Sequence, residues 1–224
     1  AMGAALLFNV WLPINFNSPY RALSIQDFWR RWHITLSHFL RDYLYIPLGG
    51  NRHSKYRTYS TLFITFVLGG LWHGASWMFV LWGALHGLGL VVHRIWQQFH
   101  LPLPKAAAWL LTFAFVNVTW VFFRAKTGAD ALRILHGMVD IQSIDHPLVG
   151  AKPILSISWS GWLGDMLLYF LPASLVSQLP IYFAITLGFI LIFQKNALAL
   201  IQGRITNGKI VIGALLFSVA LLVS

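Results

Sequence analysis

The chain alternates between long apolar runs and short basic segments, and the apolar runs predict its main elements. Four runs contain no Asp, Glu, Lys or Arg, and they cover residues 58–93, 106–123, 166–194 and 210–224. A helix needs roughly 20 apolar residues to cross a bilayer. The last three runs therefore predict spans near 105–123, 174–194 and 209–224. Residues 58–93 are too many for one span, and they predict either two tightly paired helices or a re-entrant pair that turns near residues 69–74.

This pattern predicts an all-α, multi-helix integral membrane protein in which residues 1–224 form a single domain. The chain opens inside an apolar stretch, residues 1–13, with no basic residue in front of it, which is unlike a signal peptide. We therefore expect the chain to be the C-terminal part of a larger helical membrane fold, cut at both ends and lacking its N-terminal helices.

Residues 24–45 predict an amphipathic helix. Ser24 and Asp27 resemble the capping pair that starts a helix, and Pro47 with Gly49 and Gly50 marks its end. At 100° per residue, one face holds the aromatic and aliphatic side chains, and the other holds Arg30, Arg31, Arg41 and Asp42. Such a helix is typical of a membrane interface, with arginines beside lipid phosphates. A shorter amphipathic stretch, 128–140, is also predicted at an interface.

Composition narrows the function classes. Hydrophobic residues make up 58% and charged residues 10%, against about 25% charged in soluble domains. The absence of Cys excludes a disulfide, a thiol nucleophile and a cysteine zinc site, and six scattered Asp without Glu exclude a glycosidase carboxylate pair. The net charge is +10. Because the basic residues lie between apolar runs, we expect them to face lipid headgroups and expect no nucleic-acid partner.

Two histidines stand out as candidates for chemistry. His33 is the one imidazole on the tryptophan-rich face of the 24–45 helix, and it is either a core histidine or a functional one. His73 lies in an uncharged run, where an ionisable residue is costly and indicates function. Gly69, Gly70 and Gly74 around it would leave room for a ligand or for a close-packed helix, and we favour the ligand. Gly83 and Gly87, by contrast, fit a helix-packing pattern.

Imidazole as a general base is the chemistry that these residues support. Neutral imidazole removes protons near physiological pH, which suffices for moving an activated acyl group from a thioester to a hydroxyl. The arginine face of the 24–45 helix could bind a phosphate-bearing donor such as coenzyme A. His86 and His93 share a helix face, but no carboxylate or thiol lies in the same run, so we expect no metal site.

Two blocks of sequence resemble a known family. The blocks are FWRRWHITLSHFLRDYLYIPLGGNR, residues 28–52, and GLWHGASW, residues 70–77. They resemble the signature blocks of the membrane-bound O-acyltransferase superfamily, and most closely those of its bacterial alginate O-acetylation branch. PINFNSPYRALS, residues 13–24, is similar to the segment before the first block. The resemblance covers about residues 1–140, and the last 80 residues are generic membrane sequence.

The resemblance implies a helical fold with a central tunnel, in a multi-pass protein of the bacterial inner (cytoplasmic) membrane. It implies transfer of an acyl group, most simply acetyl, from a cytoplasmic thioester donor toward hydroxyls of an extracytoplasmic polysaccharide. A periplasmic acetyltransferase partner is expected, and acetyl-CoA or another acyl thioester is expected as donor substrate, with no tightly bound cofactor. His73 and His33 match the family's histidine positions and are expected to be catalytic. Arg30, Arg31 and Arg41 are expected to bind the donor, or to be structural like Asp42.

Three alternatives stay open from the sequence. The chain could be a D-alanyl or longer-acyl transferase of the same superfamily, whose D-alanyl members share the FW-x-RWH and WHG elements. It could be a transporter or channel subunit with histidines along a proton or solute path. It could also be a structural subunit whose partner performs the chemistry.

Overall fold

The computed structural model describes residues 5, 8–140 and 173–194, and within these ranges all regular structure is helical. The predicted all-α class is confirmed. The α-helices are α1 (Ile25–Arg31), α2 (Ile34–Leu40), α3 (Lys55–His73), α4 (Trp77–Trp96), α5 (Lys105–Arg124), α6 (Gly128–Val139) and α7 (Ala173–Phe193). Short 3-10 helices lie at Pro19–Arg21 and Gln97–Phe99, and a π-helical turn, Arg41–Tyr45, continues α2.

The predicted helix 24–45 starts where expected but is not continuous. The Ser24 hydroxyl accepts a hydrogen bond from the Asp27 backbone N–H at 3.1 Å and caps α1. The helix then breaks, because Trp32 is extended and His33 adopts a left-handed conformation with φ of 43°. The prediction of one uninterrupted amphipathic helix is therefore wrong.

An earlier segment of the chain stabilises this break. The Asn17 N–H donates to the Arg31 carbonyl and the Ile34 N–H donates to the Asn15 carbonyl, both at 2.9 Å. The Asn15 side chain also accepts bonds from the N–H and hydroxyl of Thr35. These contacts satisfy backbone groups that a continuous helix would pair internally. The break is thus a tertiary feature that helical periodicity does not reveal.

The run 58–93 forms two antiparallel helices, α3 and α4, joined by residues 74–76. Their backbones meet at Gly70 and Gly83: a Cβ placed on Gly83 would lie 3.1 Å from the Gly70 Cα and would collide with the Phe66 carbonyl oxygen. A Cβ on Gly87 would lie 3.1 Å from the Phe63 Cα. The packing role predicted for Gly83 and Gly87 is confirmed.

Two of the described helical segments are long and apolar enough to cross a membrane, Trp77–Phe99 and Lys105–Arg124. α3 does not meet this criterion, since its first half carries Lys55, Arg57 and several hydroxyl side chains. Whether α3 and α4 form a re-entrant pair therefore stays a prediction. α7 falls where the 174–194 span is predicted, and the predicted span 209–224 lies outside the described residues.

The buried core lies where α1 packs against α4 and α5. Its central rings are Phe28, Trp29 and Trp82, joined by Phe66 and Val116. The 3-10 turn before α1 is tied to α5 by a 2.8 Å hydrogen bond from the Trp109 indole to the Tyr20 carbonyl. This packing holds α1 and the helix break against the ends of α3 and α5, and thereby positions the cavities described next.

Candidate functional site

A cavity of about 370 Å³ lies beside the break between α1 and α2, and we call it the histidine cavity. Both predicted histidines line it, His33 from the break and His73 from the last residue of α3. The rest of its wall is apolar or aromatic and consists of Tyr20, Trp29, Trp32, Leu36, Trp82, Trp120 and Phe123. The structure thus brings together two histidines that lie 40 positions apart in the sequence, whereas their chemical roles stay predictions.

Aromatic rings hold the His73 side chain. Its ring packs edge to face against Trp82 at 5.2 Å and against Phe123 at 5.1 Å between centroids. Trp72 contacts the ring at 4.9 Å. The imidazole is therefore held by ring packing and is half-buried.

The backbone conformation of His33 is unusual for a residue with a side chain. Left-handed non-glycine residues cost about 1–3 kcal/mol and persist where the surroundings impose them, often at functional sites. The His33 Nδ1 atom is buried and has no hydrogen-bond partner among the described residues. Strain and an unpaired nitrogen at the same residue favour a functional role over that of an ordinary core histidine.

The glycines near His73 do not leave space for a ligand, and that expectation is wrong. A Cβ on Gly69 would lie 3.1 Å from Leu40, and a Cβ on Gly74 would lie 2.9 Å from the Phe79 ring. Gly70 abuts the backbone of α4, as described above. All three positions are filled by packing, so the open volume beside His73 comes from the arrangement of the aromatic wall.

A second cavity of about 390 Å³ lies on the other side of α1, and we call it the arginine cavity. Its basic lining residues are Arg30, His38, Arg41, His93 and Arg94, and no Asp is among its lining residues. Asp42 is adjacent and accepts two hydrogen bonds from Arg41, at 2.7 and 3.1 Å, which hold the pKa of that carboxyl below its usual value. The cavity is suited to an anionic group, since guanidinium groups match phosphate oxygens.

The structure separates the three predicted donor-binding arginines. Arg30 and Arg41 line the arginine cavity, but Arg31 does not. Arg31 instead forms a 2.8 Å ion pair with Asp27, one helical turn earlier, and donates to the Asn17 carbonyl. This ion pair stabilises the start of α1, and the structure does not bring Arg31 into the arginine cavity, so donor binding by Arg31 stays a prediction.

Two contributions to the site could not be inferred from the sequence. Arg94 lies in the last turn of α4 and resembles an ordinary membrane-flanking residue, yet it lines the arginine cavity and donates a 3.1 Å hydrogen bond to the Tyr45 hydroxyl. His86 is fully buried and accepts a 3.2 Å hydrogen bond from the Trp29 indole N–H at its Nδ1 atom. Neither contact has a local sequence signal, because the partners lie 49 and 57 positions apart.

The chain is similar in sequence to several known proteins. Over 148 residues the chain is 57% identical to the peptidoglycan O-acetyltransferase of Helicobacter pylori, an alignment that covers 64% of this chain and 28% of that protein. It is 47% identical over 139 residues to a probable alginate O-acetylase of Pseudomonas aeruginosa, covering 62% of this chain and 27% of that protein. A teichoic acid D-alanyltransferase of Streptococcus thermophilus is 33% identical over 105 residues, or 44% of this chain and 25% of that protein.

The chain therefore spans little more than a quarter of the length of these relatives. A family model matches residues 3–128, a region that includes both histidines and the segments that carry them. That model describes the membrane-bound O-acyltransferase family and matches more than half of the chain, so the chain belongs to the membrane-bound O-acyltransferase family.

Proposed function

We propose that this chain carries the histidine centre of an O-acyltransferase that moves an acetyl group from a cytoplasmic thioester toward hydroxyls of an extracytoplasmic polysaccharide. The observation that carries the proposal is the histidine cavity, where His33 and His73 line one void inside the family-matched region. The two most similar relatives named above are a peptidoglycan O-acetyltransferase and a probable alginate O-acetylase. Their names support acetyl as the acyl group and a polysaccharide as the acceptor.

His73 acts as the general base in this proposal. Its neutral imidazole takes the proton of the acceptor hydroxyl while the hydroxyl oxygen forms a bond to the thioester carbonyl carbon. The carbon–sulfur bond then breaks, and the imidazolium returns the proton to the departing thiolate. His33 orients the reacting group or shares the proton from the opposite wall of the cavity. If a periplasmic partner acetyltransferase receives the acyl group first, the same proton transfer takes place on the partner's hydroxyl.

The arginine cavity binds the donor. Arg30 and Arg41 bind the phosphates of acetyl-CoA, or of the carrier of another acyl thioester, and Arg94 is the third guanidinium of the set. Without these guanidinium groups, the negatively charged phosphates of the donor would enter a partly apolar cleft unpaired, which raises the free energy of binding. No tightly bound cofactor is needed, because the donor is a substrate. The proposed location is the bacterial cytoplasmic membrane, in keeping with the two helical segments long enough to span it.

Replacement of His73 tests the catalytic assignment. We expect His73→Ala to lower the base-releasable acetate of the envelope polysaccharide by at least about 100-fold, the usual minimum contribution of a positioned general base. His136→Ala is the matched control, because that histidine is exposed on α6. Membrane abundance of each variant is measured alongside. Unchanged acetate in His73→Ala at normal abundance would refute the assignment.

Replacement of Arg94 tests the donor site. Charge-assisted hydrogen bonds contribute about 1.5–3 kcal/mol, so we expect Arg94→Gln to weaken coenzyme A binding by at least about tenfold. Arg133→Gln on α6 is the control, since Arg133 is exposed and lines neither cavity. Equal affinity in both variants would remove the arginine cavity from the proposal and leave the histidine assignment intact.

D-alanyl transfer is the second candidate, because the teichoic acid D-alanyltransferase relative shares 33% identity over 105 residues. Chemical analysis distinguishes D-alanyl transfer from acetyl transfer, since base treatment of the polysaccharide would then release D-alanine instead of acetate. A transporter role would give solute flux without an acyl donor, and a purely structural role would leave ester content unaffected by His73→Ala.

A further inference from the structure

Trp29 separates the two cavities. Among the described residues it is the only one that lines both the histidine cavity and the arginine cavity. Its side chain is 6% exposed and packs edge to face against Phe66 at 4.9 Å and Trp82 at 5.9 Å. Trp29 is thus the residue shared by the linings of the arginine cavity and the histidine cavity.

A hydrogen bond fixes the orientation of this ring. The Trp29 indole N–H donates to the Nδ1 atom of His86 at 3.2 Å. Because Nδ1 accepts, the imidazole proton lies on Nε2, and that atom is buried with no partner in the described part of the chain. His86 is itself clamped by Phe28, which stacks on it at 6.2 Å, and by Trp82 at 4.8 Å. The hydrogen bond that the buried His86 ring accepts therefore orients the Trp29 ring.

Among the described residues, the Trp29 indole is the one hydrogen-bond partner of the His86 side chain. It is 0% exposed and lines neither cavity, so it cannot touch a substrate in either one. An apolar ring at this position would remove the buried, unpaired Nε2 atom, but it would leave the Trp29 indole N–H without its acceptor. The hydrogen bond to Trp29 is therefore the property that distinguishes histidine from phenylalanine at this position.

We propose that Trp29 is the partition that sets which acyl groups reach the histidines, and that His86 is a positioning residue that holds this partition in place. The inference rests on the proposed function, in which the donor's phosphates occupy the arginine cavity and its acyl end must pass Trp29 to reach His73. The fixed indole limits the passage to a small acyl group. The ligand class admitted is therefore a short-chain acyl thioester, and each added methylene must displace the ring.

Acyl selectivity in cells tests the partition. Cells are grown with propionate, so that propionyl thioesters are available beside acetyl thioesters, and the ratio of propionate to acetate released by base from the envelope polysaccharide is measured. One methylene in an apolar site changes selectivity by about 10–200-fold. We therefore expect Trp29→Ala to raise the ratio at least about tenfold, and Trp29→Phe, which keeps a smaller ring and preserves folding best, to raise it less.

Variants of His86 separate positioning from mere packing. His86→Leu removes the acceptor and is expected to raise the ratio, whereas His86→Asn offers an amide oxygen near the Nδ1 position and is expected to restore it. In the Trp29→Ala background His86→Leu should have no further effect, because the group it positions is gone. An additive effect there, with normal membrane abundance, would overturn the role of His86.

An unchanged ratio in both Trp29→Ala and Trp29→Phe would overturn the partition. This outcome can be told apart from failure of the proposed function. If only the partition is wrong, His73→Ala still abolishes ester formation, whereas if the proposed function is wrong, His73→Ala leaves ester formation intact.

Discussion

Replacement of Gly83 by alanine places a methyl group where α3 and α4 have the least space. The new Cβ would lie 3.1 Å from the Gly70 Cα and would collide with the Phe66 carbonyl oxygen. Both obstacles are backbone atoms of a helix, so no side-chain rotation relieves the contact. The two helices have to move apart instead.

The size of the effect follows from that movement. Separating the helices by about 1 Å forfeits a quarter to a half of the dispersion energy of each contact across the interface. Overpacking of this kind usually costs about 1–3 kcal/mol, and a backbone-to-backbone collision places Gly83→Ala at the upper end. For a chain of this size, about 3 kcal/mol corresponds to a decrease of roughly 6–12 °C in the unfolding midpoint. Gly70 lies one turn before His73, so ester formation should fall as well.

The assay is thermal unfolding of the purified protein in detergent, followed by loss of the monodisperse peak. Gly137→Ala is the matched control, because Gly137 lies within α6 and a Cβ there meets nothing within 4 Å. Alanine has the better helix propensity by about 1 kcal/mol, so this control should be neutral or slightly stabilising. If the two variants unfold at the same temperature, close backbone packing at Gly83 is not what holds α3 against α4.

Three further outcomes are expected. Ser24→Ala removes the oxygen that caps α1 at the Asp27 N–H, and it should lower the free energy of unfolding by about 1 kcal/mol; no change by denaturant titration would contradict the capping role. Burial raises the pKa of Tyr20 above its ordinary 10.0, so the folded state binds that proton more tightly than the unfolded chain. The tighter binding contributes to the free energy of unfolding below pH 10.0, and this contribution is lost as the pH rises through the raised pKa. Unfolding midpoints measured across that pH range should therefore fall in the parent protein, and Tyr20→Phe should lack this decrease. Tyr45→Phe removes the 3.1 Å hydrogen bond that orients Arg94, and it should weaken coenzyme A binding by a few fold, or about 1 kcal/mol. Equal affinity of the variant and the parent protein by calorimetry would contradict the orienting role.

Several features of this protein could be predicted because they depend on neighbours in the sequence. Runs of apolar residues indicate helices, and the Ser24 and Asp27 pair indicates where α1 begins. The small residues Gly83 and Gly87 indicate a packed helix face. His33 and His73, which line one cavity, could also be singled out, one as an imidazole among tryptophans and the other as an imidazole in an uncharged run.

The break at His33 depends on an earlier segment of the chain: Asn15 accepts hydrogen bonds from Ile34 and Thr35, and the Asn17 N–H donates to the Arg31 carbonyl. A helical wheel does not include such contacts. Arg31 shares a face with Arg30 on that wheel, yet an ion pair with Asp27 takes it away from the arginine cavity.

The amino-acid sequence by itself determined the helical class, the preference for a membrane and the residue types available for chemistry. Those properties follow from hydrophobicity and capping within a few positions of each residue. Only the tertiary structure decided that His33 and His73 line one void, that Arg94 joins Arg30 and Arg41, and that Trp29 lines both cavities. A void is bounded by segments far apart in the chain, so its shape depends on how the helices pack, and no local pattern carries that information.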